Sequence, residues 1–335
     1  MSKTKIVFFE TENWEKEYLI KNLKNLELKF FNEPLEDKHF AVIKDYSIIS
    51  PFIYSKFTRE VFNLLPKVKL ISTRSTGFDH IDISEAKKKK IKVCNVPYYG
   101  ENTVAEHTFA LILALSRKLC LSWERSKKGD FSPEGLMGFD LKGKTLGIIG
   151  MGHIGQHVAR IAKGFEMKVI TFDVRKDLKL AKELNFTYVS FEKLLKTADI
   201  ISLHAPYNKE THHLLNNKNI HLIKKGAYLI NTARGALIET EALIKALGEK
   251  ILAGIALDVL EEECFIKEER QLLSKEFPKE CDLKTVLRNH LLLQQENVII
   301  TPHNAFNSKE ALERILETTV SNINSFLNNK PVNLV

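Results

Sequence analysis

Residues 144–155 read KTLGIIGMGHIG, a nearly continuous apolar run that ends in three glycines spaced G-x-G-x-x-G. The run has the character of a strand buried on both faces of a parallel sheet. A helix is expected to open inside the glycines and run over 153–165, and a second strand, MKVITFD (167–173), ends on Asp173, 18 positions after Gly155. The physics asks for this order. Gly150 permits the tight turn, Gly152 lets backbone approach a pyrophosphate, and Gly155 lets helix and strand pack closely. The N–H groups of the helix start, near His153 and Ile154, then meet phosphate oxygens, helped by the helix dipole. Asp173 accepts hydrogen bonds from the ribose hydroxyls, and its charge disfavours a 2′-phosphate, so the expected cofactor is NAD rather than NADP. Arg175 tempers that preference slightly. Three glycines alone would mark only a βα turn; the strand, the helix and the acid in register make it a dinucleotide site.

Outward from this stretch the chain alternates strand and helix. Before it come KIVFFE (5–10), LELKFF (26–31), DYSIISP (45–51), VKLIST (68–73) and KVCNV (92–96). After it come ADIISLH (198–204), GAYLINTA (226–233), LAGIALDV (252–259) and NVIITPH (297–303). Such alternation implies βαβ units and parallel sheets, since parallel strands need crossover connections. A long helix is expected over 102–128 and a final amphipathic one over 308–327. Between them, 129–144 is broken by Gly, Pro and Asp, and the charged stretch 260–296 reads as a surface insertion. About 140 residues of α/β pattern precede the glycine loop, so the nucleotide domain sits inside another domain, which the final helix rejoins.

Three strand ends carry chemistry. Arg234, in NTARG, offers a fork of donors to a carboxylate or carbonyl oxygen. Asp258 is followed by Glu261, Glu262 and Glu263, and His303 follows the last strand. A cation, one or more carboxylates and an imidazole at the ligand-facing ends of parallel strands suit hydride transfer to a carbonyl. The histidine moves the proton, a neighbouring carboxylate raises its pKa, and the arginine polarises the substrate. RSTGFDHID (74–82) adds a turn whose successive N–H groups can form an anion nest, with a substrate carboxylate as guest.

RSTGFDHID, NVPYYGENTVAEHTFALIL, LKGKTLGIIGMGHIGQHVAR, ADIISLHAPYNKETHHLLN, LIKKGAYLINTARGALIETEAL, LAGIALDVLEEE and NVIITPHNAF, spread over 74–306, together resemble the D-isomer-specific 2-hydroxyacid dehydrogenase family. The resemblance implies two α/β domains, a flavodoxin-like substrate domain (1–98 plus 304–335) and a doubly wound, Rossmann-type NAD domain (99–303). It implies His303 as acid/base, Glu263 as its partner and Arg234 as the substrate-orienting residue; Glu263 is taken because the pattern D-V-x-E-x-E places the partner at the last acid. Backbone groups of Thr76 and Gly77 would hold the substrate carboxylate. Asp258, Val104, Thr232 and Ala233 would lie near the nicotinamide, and His204, Ala205 and Pro206 on the adenine side. Within the family the details look most like D-lactate dehydrogenases. Phe52, Tyr54, Tyr99 and Phe306 would shape a small apolar pocket for a methyl-sized side chain. Relatives are usually homodimers through the nucleotide domain, with the apolar helix after Asn102 as the interface.

Composition narrows the alternatives. Over 335 residues, 44% are hydrophobic and 27% charged, as in ordinary globular chains. Net charge is +8, but the basic residues are diluted, and the block 87–90 lacks the aromatic or arginine interleaving of a nucleic-acid surface. No stretch reaches the apolar length of a membrane span, and the N-terminus lacks a signal-peptide pattern. The four cysteines form no CxxC pair, so no metal site is expected and a cytoplasmic location is. Two other functions fit the motifs less well: a reductase for bulkier ketoacids such as phenylpyruvate or hydroxypyruvate, and an NAD-sensing binding module.

Overall fold

The computed structural model describes residues 4–261 and 283–335. Glu262, Glu263, Cys264 and Cys281 lie outside the described residues. The chain divides into two units, Met1–Tyr99 with Ser308–Val335, and Gly100–Asn307.

The first unit runs β1 (Lys5–Phe8), α1 (Asn13–Asn22), β2 (Glu27–Phe30), α2 (Asp37–Ile43), β3 (Ile48–Ser50), α3 (Arg59–Leu64), β4 (Leu70–Ser72), α4 (Ile83–Lys88) and β5 (Lys92–Cys94). Every pairing is parallel and the strand order is β2-β1-β3-β4-β5, the flavodoxin-like order. Successive strand residues face opposite sides, so each strand feeds two cores. Val7, Ile49 and Ile71 pack with Ile43, Phe62 and Ala86 on one side. Ile6, Phe8, Ile48 and Leu70 pack with Leu19 on the other, joined there by Leu316 and Ile323 from the C-terminal helix.

The second unit runs α5 (Glu101–Ser116), α6 (Leu119–Lys127), β6 (Thr145–Ile149), α7 (His153–Gly164), β7 (Lys168–Phe172), α8 (Leu178–Leu184), β8 (Phe186–Tyr188), α9 (Phe191–Thr197), β9 (Ile200–Leu203), β10 (Ala227–Asn231), α10 (Thr240–Gly248), β11 (Leu252–Leu257), α11 (Leu283–Leu293) and β12 (Val298–Ile300); α12 (Lys309–Leu327) returns to the first unit. The sheet order β12-β11-β10-β9-β6-β7-β8 is the Rossmann order with one added edge strand. Helices α5 and α7 cover one face through Ala105, Phe109, Ile112, Val158, Ala159 and Ala162. Helices α9 and α10 cover the other through Leu194, Leu195, Ala242, Leu243 and Ala246. Both sheets are the α/β class expected from the strand–helix alternation.

Two local readings differ. The single helix expected over 102–128 is two, because Lys118 takes a left-handed φ of 49°. The Ser116 carbonyl there accepts the Phe139 N–H at 3.0 Å rather than extending the helix. The edge strand β8 has no sequence counterpart in the reading above: three residues following a left-handed Asn185 are too few to show a period.

Candidate active site

In the second sheet the order reverses between β6 and β9, and ligands of open α/β sheets bind outside the carboxyl ends at such a point. The glycine loop leaves β6 there. Gly150 has φ 96°, and a Cβ on it would stand 2.7 Å from the Ala205 nitrogen and the His204 carbonyl carbon. A Cβ on Gly155 would stand 2.3 Å from the Gly150 carbonyl oxygen, so α7 meets the loop backbone to backbone. Gly152 is different. Its φ of −69° suits any residue, and a Cβ on it would meet nothing within 4 Å. Neither backbone nor protein packing calls for glycine, so the space it leaves fits an external group. As N-cap of α7 it also stands before the first-turn N–H groups, which no carbonyl of the helix itself can take, a donor set for phosphate.

Asp173 directly follows β7 and bears on the same loop. Its carboxylate accepts the Met151 N–H at 2.7 Å and the Arg175 N–H at 2.8 Å, holding the glycine turn while each oxygen keeps a lone pair for a ribose hydroxyl. His204, just past β9, contacts the Ser202 hydroxyl through Nε2 at 2.8 Å. Its Nδ1 is buried with no partner among the described residues, and burial pushes the imidazole down to about 3. The residues from Gly150 to Gly155, with Asp173, fit a dinucleotide on these grounds.

The ends of β10, β11 and β12 lie side by side. After β10, Asn231 folds the Arg234 turn: its side chain accepts the Ala233 N–H at 3.0 Å and donates to the Arg234 carbonyl at 2.9 Å, as short polar side chains do at turns. The Arg234 guanidinium donates to the Ala233 carbonyl at 2.7 Å. A Cβ on Gly235 would lie 2.1 Å from the Leu260 carbonyl oxygen, so only glycine lets this turn press against the chain leaving β11. Thr232 is buried, its hydroxyl 3.0 Å from that of Thr108 on α5. Val104, on the first turns of α5, is half-buried.

Asp258, 1% exposed, is the hub. Its carboxylate accepts the N–H groups of Asn304 (2.8 Å) and Ala305 (2.9 Å), and the Thr301 hydroxyl. His107 on α5 places Nε2 3.5 Å from it and 3.2 Å from the Thr301 hydroxyl. Burial opposes its ionisation, but these hydrogen bonds outweigh burial and hold the carboxyl below its usual range. His303 is pinned between: its N–H reaches both the Asp258 and Thr301 carbonyls at 2.9 Å. It adopts a left-handed φ of 51°, uncommon outside glycine and held only where surroundings over-determine it. Its ring meets that of Phe306 edge-on at 6.3 Å.

Of the acids after Asp258, Glu261 is spent on structure. Its carboxylate accepts the Thr240 N–H and hydroxyl at the start of α10 (3.0 and 2.6 Å) and contacts His213. Glu263, assigned as the histidine's partner by resemblance, lies outside the described residues.

In the first unit, 74–77 follows β4. The Thr76 hydroxyl donates to the Val96 carbonyl (2.7 Å), Ser75 to the Gly77 carbonyl (2.6 Å), and Asn95 to the Thr76 carbonyl (2.8 Å). The backbone N–H groups of Thr76 and Gly77 donate to nothing among the described residues. Phe52 and Tyr54 lie on a loop whose N–H groups are taken by Glu10, at 2.9 and 2.6 Å. Tyr54 is 54% exposed, more open than a pocket-lining role suggests. The Tyr99 carbonyl accepts from Arg314 at 2.6 Å. Sequence reasoning missed Asn231, His107, Thr301 and Glu10. Only Asn231 had a local signal, an Asx turn at a strand end; the others act across long stretches of chain. No group of three metal-ligating side chains is found among the described residues, and no helix there is long and apolar enough to cross a membrane.

With this geometry in place, comparison with known proteins is informative. Residues 109–305 match the profile of the D-isomer specific 2-hydroxyacid dehydrogenase NAD binding domain. The chain is 35% identical over 325 residues to D-lactate dehydrogenase of Escherichia coli, covering 96% of each. It is 37% identical over 302 residues to glyoxylate reductase of Thermococcus litoralis, covering 88% of this chain and 84% of that one. The crystal structure of D-lactate dehydrogenase from Aquifex aeolicus, complexed with NAD and lactic acid, superposes with a TM-score of 0.87 at 40% identity, over 97% of this chain and 96% of that one.

Proposed function

Because the chain belongs to the D-isomer-specific 2-hydroxyacid dehydrogenase family, and so is an NAD-dependent oxidoreductase, we propose that it is a D-lactate dehydrogenase that reduces pyruvate to D-lactate. The observation that carries this reading is the row of strand ends Arg234, Asp258 and His303, with His303 held in a left-handed turn by Asp258. The reduced nicotinamide, when bound, supplies the hydride. Gly150, Gly152, His153, Ile154, Gly155 and Asp173 hold the dinucleotide's phosphates and ribose; His204, Ala205 and Pro206 line its adenine side; Val104, Thr232, Ala233 and Asp258 lie toward the nicotinamide.

His303 gives its proton to the substrate's carbonyl oxygen and, in the reverse direction, removes the hydroxyl proton. Reduction therefore needs the imidazolium, and the family resemblance assigns Glu263 as the partner of that ring. Arg234 places its fork of donors on the substrate's oxygens. Thr76 and Gly77 hold the carboxylate through backbone N–H groups. Phe52, Tyr54, Tyr99 and Phe306 limit the side chain to about a methyl group.

A homodimer is proposed through the second unit. Leu119 and Trp123 on α6 are 59% and 60% exposed, and Phe131 and Met137 after it 81% and 87%, more bare apolar side chain than a monomer's surface usually gathers in one segment. The proposed location is the cytoplasm, which suits the unpaired thiols of Cys94 and Cys120.

The test is NADH oxidation with pyruvate, glyoxylate, hydroxypyruvate and phenylpyruvate in parallel, followed by chiral analysis of the product. Pocket fit is worth about 1–3 kcal/mol per methylene. Pyruvate should therefore lead in kcat/KM and give D-lactate. Glyoxylate leading would move the assignment to a glyoxylate reductase, which the likeness to the Thermococcus litoralis enzyme supports. A bulky acid leading would overturn the methyl-sized pocket. No turnover on any ketoacid, with NADH bound, would favour a sensing role.

A further inference from the structure

Arg74 is the largest fully buried side chain among the described residues, 1% exposed. Burying a guanidinium is costly unless its donors are satisfied. Here three hydrogen bonds from it converge on one place. Its Nη1 donates to the Ser50 carbonyl (3.0 Å), and Nη2 to the carbonyls of Phe9 (2.8 Å) and Glu10 (2.7 Å). Its backbone N–H donates to the Pro51 carbonyl at 2.9 Å. Its Nε lies 3.8 Å from a Glu15 carboxylate oxygen. These four carbonyls lie at the carboxyl ends of β1 and β3. Those two strands flank the point where the first sheet reverses its order, the place where open α/β sheets receive ligands.

Glu10 completes the arrangement. It sits at a left-handed φ of 55°, a conformation that persists in a non-glycine residue only when its surroundings impose it. Its carbonyl is bound by Arg74, while its carboxylate takes the N–H groups of Phe52 and Tyr54 and, at 2.7 Å, the Ser55 hydroxyl. One guanidinium thus ties the ends of two strands to the loop 74–77, and the residue it grips fixes the loop 52–55. A lysine has the charge but not the planar fork that reaches three carbonyls at once.

We propose that Arg74 is a positioning residue for the substrate's carboxylate, fixing the loop 74–77 so that the N–H groups of Thr76 and Gly77 stay converged on the anion. This rests on the reading that those two groups hold the carboxylate. Arg74 itself, buried beneath the loop, does not touch the substrate.

The experiment compares wild type with Arg74→Lys and Arg74→Gln. It uses the fastest 2-ketoacid substrate and oxamate, a carboxylate isostere of pyruvate, as inhibitor. NADH affinity, measured by fluorescence titration, and the melting temperature are followed alongside. In Arg74→Lys the ketoacid KM and the oxamate inhibition constant should both rise about tenfold or more, since support that holds a binding group in place is lost with the fork. The value of kcat and NADH affinity should stay near wild type. Arg74→Gln should shift the same two constants further. Unchanged KM and inhibition constant in both variants would overturn the proposal. So would a fall in kcat or NADH affinity with KM unmoved, or failure of both variants to fold, which would leave Arg74 a purely structural residue. Wild-type protein inactive on every 2-ketoacid would overturn the functional reading and this proposal with it; an active wild type with unmoved variants overturns the proposal alone.

Discussion

At the reversal point of the first sheet, between β1 and β3, the space is filled by the guanidinium of Arg74 and the carboxylate of Glu10. At the matching point of the second sheet, between β6 and β9, side chains are missing: Gly150 and Gly155 bring backbone to backbone, and Gly152 leaves open space. The difference follows from what each crevice is proposed to hold. A dinucleotide is long and carries its own charge, so the protein supplies room, N–H groups and one acid at Asp173. A ketoacid is a few atoms across, and a loop that is to hold its carboxylate must be stiffened from beneath. The second unit also carries the proposed chemistry, because Arg234 and His303 both follow its strands.

The largest expected effect tests that division. His303→Ala removes the proposed acid/base and should lower kcat by about a thousandfold, within the usual range for such a group. NADH affinity should hardly move, since the glycine loop lies at the far side of β9–β11 from β12. Kinetics beside a fluorescence titration read both. A kcat near wild type would return the proton transfer to another group and break the contrast between a chemical unit and a holding unit.

Two glycines sharpen the comparison next. Gly155→Ala drives a Cβ to 2.3 Å from the Gly150 carbonyl oxygen, an overpacking that should cost roughly 2 kcal/mol or more of stability. Gly152→Ala should leave the melting temperature in place, because its Cβ meets no protein atom. It should still weaken NADH by about tenfold, a loss of ~1.4 kcal/mol, as the methyl enters space meant for phosphate. Urea unfolding and NADH titration on both variants separate packing from binding. A Gly152→Ala protein that binds NADH normally would mean that the space has no ligand to lose.

These two crevices also show what a sequence discloses. The glycine loop was legible because its parts are neighbours in the chain: strand, turn, helix and Asp173 fall within 144–173. The parallel sheets of both units followed from the strand–helix alternation, since parallel strands need crossover connections. Arg234 and His303 were legible as charged groups after apolar runs. Arg74 was not, because its partners Phe9 and Glu10 lie 65 and 64 residues away, and no local pattern announces a cation that folds inward. The Asp258 hub was half legible. The acid itself stood at a strand end, but its contacts with His107 and Thr301 span α5 and β12. Glu261 shows the converse: read as one acid in a run of three, it proves to be committed to Thr240 and His213.

A smaller effect tests the acid of the glycine loop. Asp173→Ala removes the proposed ribose acceptor and frees the Met151 N–H. NADH should bind several-fold more weakly, and the preference for NADH over NADPH should narrow, because the charge that disfavours a 2′-phosphate is gone. Parallel KM measurements for the two cofactors decide it. A wild-type enzyme working better with NADPH would overturn the role given to Asp173.

The smallest effect concerns His204, and it separates the two units by pH. Its imidazole is pushed by burial from 6.5 down to about 3, so the folded protein holds it neutral where the unfolded chain would protonate it. Between those values the unfolded state binds more protons, and stability rises with pH. The stabilisation is whole above the unfolded value and drains away as pH falls toward the folded one. One proton corresponds to a slope of up to about 1.4 kcal/mol per pH unit, less where water reaches the ring. His204→Gln cannot titrate, so its unfolding midpoint in urea should fall less than wild type's between pH 7 and about 5, a range set by the lower part of the usual stability maximum. The effect should be confined to the second unit, which can be followed by NADH protection rather than by global signal. Equal pH slopes for wild type and variant would show that His204 is protonated in the fold. The crevice of the second sheet would then carry a buried charge, as the first does at Arg74, and the contrast between the two would fail at that residue.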